Sequence, residues 1–154
     1  MGKKLWDNAI DMPPVWLVFF IALVWGQTAI WNPLSYAAPL SVTVGRTIVG
    51  IGLILIVVAA LMFWRQKTSV IPKQTPKSMI SGGLYRLSRN PIYLADAIIL
   101  FGVCISNGSV IGLALVPIFM GIITSRFILG EEAGLRREFG AYFETYCTQT
   151  RRWI

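Results

Sequence analysis

Between Thr47 and Trp64 the chain reads TIVGIGLILIVVAALMFW, a run without one charged side chain that ends on an aromatic residue followed directly by Arg65. In water such a run has to be hidden on every face; in lipid it is self-sufficient as a helix, because all its backbone groups pair within the segment. A second run, VWLVFFIALVWGQTAIW from Val15 to Trp31, follows Pro13-Pro14 and has Gln27 and Thr28 as its only strongly polar side chains. With 154 residues, 55% of them hydrophobic and 14% charged, the chain is too small to bury both runs in a water-soluble core. The bilayer is the solvent that fits.

Two further apolar runs, Ile92 to Ser106 with Asp96 inside it and Ser109 to Ser125 with Pro117 inside it, read as a helical hairpin turned at Asn107-Gly108. The first run lacks a purely cationic leader, since Lys3 and Lys4 mix with Asp7 and Asp11, and no small-residue cleavage site follows. It is expected to be a retained span. Arg65, Lys67, Lys73, Lys77, Arg86 and Arg89 fill a stretch without an acid between the second and third runs, whereas Asn32 to Gly45 is uncharged. The positive-inside bias makes the basic stretch cytoplasmic and, with four spans, places both termini there too. After the last span Leu135, Phe139, Tyr142, Phe143 and Tyr146 form a helical stripe opposite Arg136, Arg137, Glu138 and Glu144. The expected fold is therefore an all-α integral membrane bundle of about four transmembrane helices with a C-terminal amphipathic cytoplasmic helix. Its parts form one membrane domain: two N-terminal spans over residues 1–64, a basic cytoplasmic segment over 65–91, the helical hairpin over 92–129 and the amphipathic helix over 130–154.

Composition excludes several chemistries. There is no histidine, so a Ser-His-Asp triad, a histidine zinc site and a histidine proton shuttle are all absent. Cys104 and Cys147 fall in an apolar run and a polar tail, which suggests reduced thiols and no metal site. The net charge of +7 lies beside the spans and reads as a topology signal touching anionic headgroups, with no nucleic-acid partner expected. The G-x-G at Gly50 is inside a span, away from any strand-turn-helix setting of a dinucleotide loop. Gly45, Gly50, Gly52, Gly108 and Gly112 are read as packing positions.

Polar residues gather at Lys77 to Tyr93, Arg126 to Glu132 and Arg151-Arg152-Trp153, all on the side assigned to the cytoplasm. In Ser88-Arg89-Asn90-Pro91-Ile92-Tyr93, proline suits the first helical position and asparagine before it suits a cap. The resulting helix start offers amide hydrogens and a partial positive charge to a carboxylate or phosphate. Tyr85, after Gly83, and Tyr93 offer rings to an adenine or a cation. At Glu131-Glu132 the two acids point about 100° apart on a helix, and Glu132 has Arg136 as an i,i+4 partner, which leaves Glu131 for a ligand. Asp96 stands three residues after Tyr93 and roughly on its face, an acid at the membrane boundary with either a structural or a functional role.

Gly83-Leu84-Tyr85, Arg89-Asn90-Pro91-Ile92-Tyr93, Glu131-Glu132, Leu135, Phe139-Gly140, Tyr142, Tyr146 and Arg152-Trp153, in that order, resemble the isoprenylcysteine carboxyl methyltransferase family, whose membrane relatives include the phospholipid N-methyltransferases. The resemblance covers about residues 77–154. It implies an integral membrane enzyme that takes a methyl group from S-adenosyl-L-methionine in a transmembrane core. It further implies Lys77, Ser78, Met79, Ile80, Tyr85, Asn90, Pro91, Ile92, Tyr93 and Glu131 as cofactor contacts, and Arg126 as the basic residue on the substrate side of catalysis. Two departures stand out: Asn90 and Ala95 occupy positions where the family's commonest pattern has His and Gly. Arg126 also precedes Glu131 by five residues, about 140° around an α-helix, unless the helix breaks at Gly130.

The expected function is an S-adenosylmethionine-dependent membrane methyltransferase acting on a small lipophilic acceptor, a carboxylate, thiol or amine, reached from the bilayer. Its expected partners are that lipid-like substrate and the membrane lipids themselves. Two alternatives have distinct signatures: a non-catalytic lipid- or partner-binding protein on the same scaffold, and a lipid reductase using NADPH. The sequence leaves the acceptor and the oligomeric state open.

Overall fold

The computed structural model describes residues 11–65 and 82–154. Lys77, Ser78, Met79 and Ile80 lie outside the described residues. Within them the chain is helical: α1 over Pro13–Ile30, α2 over Pro39–Arg65, a 3-10 turn over Gly83–Arg86, α3 over Pro91–Ser106, α4 over Val110–Ile123, a π-helical turn over Thr124–Ile128, and α5 over Leu129–Gln149. No strand occurs among the described residues beyond one isolated bridge between Ser35 and Ser109. α1, α2 and α4 with its continuation are long and apolar enough to cross a membrane, and the apolar α3 is shorter.

Local chemistry sets the helix starts. α1, α2 and α3 each open on a proline, whose fixed φ suits the first helical position and whose missing N–H would have had no partner there. α4 opens on Ser109, whose hydroxyl accepts the Gly112 amide at 2.8 Å. The α3–α4 turn is where the sequence puts it: Gly108 has φ +58, and a Cβ there would meet the Ala37 backbone nitrogen at 2.3 Å, so both conformation and space require glycine.

α3 is the central helix, packed against α1, α2 and α4. Against α2 it makes its most extensive contact, because glycines let the two backbones meet. A Cβ on Gly102 would stand 2.8 Å from the Gly45 carbonyl, and one on Gly52 would stand 3.1 Å from the Ala95 carbonyl. Small-residue contacts of this kind join helices in lipid, where apolar surface alone gives no preference for a neighbour over a lipid tail. Gly50, expected to pack similarly, has nothing near its would-be Cβ. The opposite face of α2, including Leu53, Ile54, Val57 and Leu61, is exposed, as a lipid-facing surface is. On its other side α3 contributes Tyr93, Ala97, Leu100 and Cys104 to a buried cluster with Phe20 and Val24 of α1 and Phe119, Ile123, Phe127 and Ile128 of the fourth span.

Two expectations are corrected, the start of α2 and the stripe at Tyr142. α2 begins at Pro39, a full two turns before the uncharged run, because the Arg46 side chain is exposed and does not interrupt the helix. The C-terminal amphipathic helix is present and continues α4 through the π turn, with Gly130 helical. The break falls at Gly140, with φ 48 and ψ −124. Past that break Phe143 and Tyr146 are buried with Tyr85, while Tyr142 is 57% exposed, so the predicted stripe holds except at Tyr142.

Candidate functional site

The stretch entering α3, the start of α5 and the last residues of the chain meet at one end of the bundle, joined by Glu132. This carboxylate is 3% exposed and faces three guanidinium groups. Arg152 grips it with two bonds, Nε to Oε1 at 3.0 Å and Nη2 to Oε2 at 2.8 Å, and Arg89 approaches Oε1 at 3.1 Å. The expected i,i+4 partner Arg136 is more distant at 3.8 Å and makes its shorter contact, 2.8 Å, with Glu144. Paired forks of this kind are the strongest arrangement open to a carboxylate. Burial alone would raise the Glu132 carboxyl, but the Arg152 hydrogen bonds and the charges of Arg89, Arg152 and Arg136 hold it below the ordinary value.

The tail is also held through its backbone. Ser88 Oγ and Asn90 Nδ2 both donate to the Arg152 carbonyl at 3.1 Å, and the Arg89 amide donates to the Arg151 carbonyl at 2.9 Å. Asn90 therefore does not cap α3 as its position before Pro91 suggests; its side chain is committed to the tail, and the helix start has no side-chain cap. Asn90 has ψ 61 in place of the extended value a cap adopts, and the tail's carbonyl, brought in by the fold, lies within reach. The first amides of α3 are consequently left without a side-chain acceptor.

Beside this node, Tyr93 Oη donates to Glu131 Oε1 at 2.6 Å. The corner of the third span and the acids after the fourth are thus in direct contact. Tyr93 is 8% exposed and packs on Phe127, with ring centroids 6.5 Å apart. Burial pushes the Glu131 carboxyl up, and the hydrogen bond from Tyr93 opposes the shift. Tyr85 is buried in the 3-10 turn, and its carbonyl accepts the Tyr146 hydroxyl at 2.6 Å. Burial, with the charges of Tyr146 and Glu131 added, raises the Tyr85 phenol, which keeps it protonated. Pro91 is buried and Ile92 half-buried at the same helix start.

Arg126 stands elsewhere. Its guanidinium pairs with Asp11 at 3.1 Å and lies 5.2 Å from the centre of the Trp16 ring. It sits in the π turn, where the Leu129 amide bonds the Thr124 carbonyl five residues back. That wider turn changes the 140° offset from Glu131 expected of an uninterrupted α-helix. A depression of about 490 Å³ lined by Arg86, Tyr142, Thr145, Tyr146, Gln149 and Thr150 shares none of the candidate residues.

Sequence reasoning missed Ser88 and understated Arg89 and Arg152. The signal was present: two arginines, one in the acid-free basic stretch and one in the tail, needed a buried acid, and Glu132 was assigned to Arg136 instead. Among the described residues no group of acids and cysteines suits a metal ion.

The family model of phospholipid methyltransferases matches residues 40–142, from the first turn of α2 into the middle of α5. No curated protein and no solved structure matches the chain.

Proposed function

The chain belongs to the phospholipid methyltransferase family, and we propose that it is an S-adenosylmethionine-dependent membrane enzyme that methylates a small lipophilic acceptor entering from the bilayer. The observation that carries this reading is the 2.6 Å contact between Tyr93 and Glu131, which joins the α3 start to the α5 start and gathers complementary groups for a zwitterionic nucleoside. Glu131 would receive the amino end. The uncapped α3 start at Pro91, Ile92 and Tyr93 would receive the carboxylate. Tyr85 and Tyr93 would flank the adenosine and the cationic sulfur. Asn90 acts indirectly, by holding the tail that closes this corner, so the absence of histidine there removes no proton-transfer group. Lys77, Ser78, Met79 and Ile80 are proposed to complete the lining. Arg126, paired with Asp11 and lying over the Trp16 ring of α1, is proposed to meet the acceptor's polar end.

Bound S-adenosylmethionine supplies a methyl group already activated on a sulfonium. The chain's task is then to align donor and acceptor and to exclude water. The apolar bundle below the corner, and the exposed apolar faces outside it, suit an acceptor arriving sideways from lipid. The positive-inside bias of the basic stretch before α3 supports a cytoplasmic side for this corner and both termini, where a water-soluble donor is at hand.

Incubating the detergent-purified protein with methyl-labelled S-adenosylmethionine and a lipid extract tests the reading. Label is expected in a lipid product. If the protein instead binds NADPH and transfers no label, the reductase alternative replaces it; binding neither leaves a non-catalytic scaffold.

A further inference from the structure

The depression lined by Arg86, Tyr142, Thr145, Tyr146, Gln149 and Thr150 lies outside the Tyr93 and Glu131 corner and has no part in the reaction proposed above. Its chemistry is one-sided: a guanidinium, hydroxyls and an amide, with no carboxylate in the lining. Arg89 and Arg152 share Glu132, Arg136 takes Glu144 and Arg126 takes Asp11, whereas the exposed Arg86 has no side-chain partner among the described residues. Nor has the Gln149 amide, on the opposite wall. A lone surface cation is ordinary. One that borders a recess of about 490 Å³ with hydrogen-bond donors and no competing acid suits an anion with several acceptor oxygens.

The recess also sits where a span leaves the bilayer. α2 ends on Trp64 and Arg65, both exposed, an aromatic and a cation of the kind that mark a membrane boundary. Met62, two residues earlier, packs on the cluster of Tyr85, Phe143 and Tyr146 that backs the recess, and a Cβ on Gly83 would stand 2.7 Å from Met62 Cε. The turn that carries Arg86 is therefore level with the end of α2. Leu87, directly after Arg86, is 69% exposed. A leucine without protein cover beside an unpaired guanidinium at that level fits the edge of a lipid layer, with acyl chain on the leucine and phosphate on the cation.

We propose that this recess binds a phosphate group, that of an anionic phospholipid at the membrane surface. The phosphate accepts from Arg86 on the wall made by the 3-10 turn and from the Gln149 amide on the wall made by α5. It thereby ties the two walls together, in parallel with the 2.6 Å bond from Tyr146 Oη to the Tyr85 carbonyl. Dissolved phosphate carries the same chemistry, and the uncovered Leu87 favours the lipid. The occupant needs no methylatable group, and the assignment is independent of the reaction.

Short-chain phosphatidylglycerol, short-chain phosphatidylcholine and inorganic phosphate are each titrated into the detergent-purified full chain at fixed ionic strength, with calorimetric affinity and unfolding temperature as readouts. Phosphatidylglycerol is expected to bind saturably and to raise the unfolding temperature. Phosphatidylcholine, whose phosphate is offset by its own cation, should bind more weakly. Arg86→Gln should weaken phosphatidylglycerol by about 10-fold or more, as for a hydrogen bond to a charged group, and Gln149→Leu by less. Arg137→Gln removes an exposed cation of α5 outside the recess and should leave the affinity unchanged. Unfolding temperatures of the lipid-free variants equal to that of the wild type show that they are folded. Equal weakening by Arg86→Gln and Arg137→Gln, equal binding of the two lipids, or no binding of either would overturn the site. Phosphate binding that is lost in Arg86→Gln, without phosphatidylglycerol binding, would overturn the lipid as occupant and leave dissolved phosphate in its place.

Discussion

Glu132→Ala is expected to destabilise the protein by about 3–5 kcal/mol, the scale for removing one partner of a buried ion pair. The effect is large because the carboxylate serves three cations. Arg152 would lose both of its bonds, and Arg89, whose side chain is 14% exposed, would lose the charge it faces. Two guanidinium groups would then be left close together at a half-closed site. Glu132→Gln keeps the shape and should lose less. Thermal unfolding in detergent checks the order wild type, Gln, Ala. The carboxyl is held lower in the folded protein than in the unfolded chain, so its contribution is complete above the ordinary carboxylate pKa of about 4 and is lost as pH falls through the depressed folded value. The stability gap between wild type and Glu132→Gln should therefore be constant near neutrality and shrink on acidification below about pH 4.

A comparable loss, again about 3–5 kcal/mol, is expected when the chain is made to end at Thr150. That change removes the Arg152 fork on Glu132, the carbonyl that Ser88 and Asn90 share, the Arg151 carbonyl that accepts from Arg89, and the packing of Trp153 on the main core. Arg152→Met keeps the backbone acceptors and Trp153, so it should cost about 2–3 kcal/mol at this partly exposed side chain. If the shortened chain and Arg152→Met unfold alike, the backbone contacts contribute nothing beyond the guanidinium. The two are expected to differ, with donor binding weakened most in the shortened chain because the α3 start loses its brace.

The spans were readable because uncharged runs and prolines act locally: Pro13 and Pro91 start their helices, and Gly108 turns the hairpin. α2 extends two turns before the uncharged run because an exposed turn of a long helix tolerates a cation at Arg46. The break at Gly140 is invisible to periodicity, since Leu135, Phe139, Phe143 and Tyr146 keep helical spacing across it while only Tyr142 is turned outward. At the candidate site the Tyr93 and Glu131 meeting was legible from chain order and from the family resemblance. Asn90 was misread for a physical reason: before a proline, asparagine suits a cap, and only the fold reveals that a carbonyl sixty-two residues later competes for its amide. The same holds for Glu132, where an i,i+4 partner in sequence lost to two arginines brought in by tertiary structure.

The corner made by Tyr93 and Glu131 is proposed to take S-adenosylmethionine. Isothermal titration of the detergent-purified protein with this compound measures it directly. Saturable one-site heat is predicted for the wild type, with Glu131→Gln weakened by about 1.5–3 kcal/mol, roughly 10- to 150-fold in Kd, as for a hydrogen bond to a charged group. A flat titration of folded wild-type protein at high micromolar donor, or equal affinity in Glu131→Gln, would contradict it.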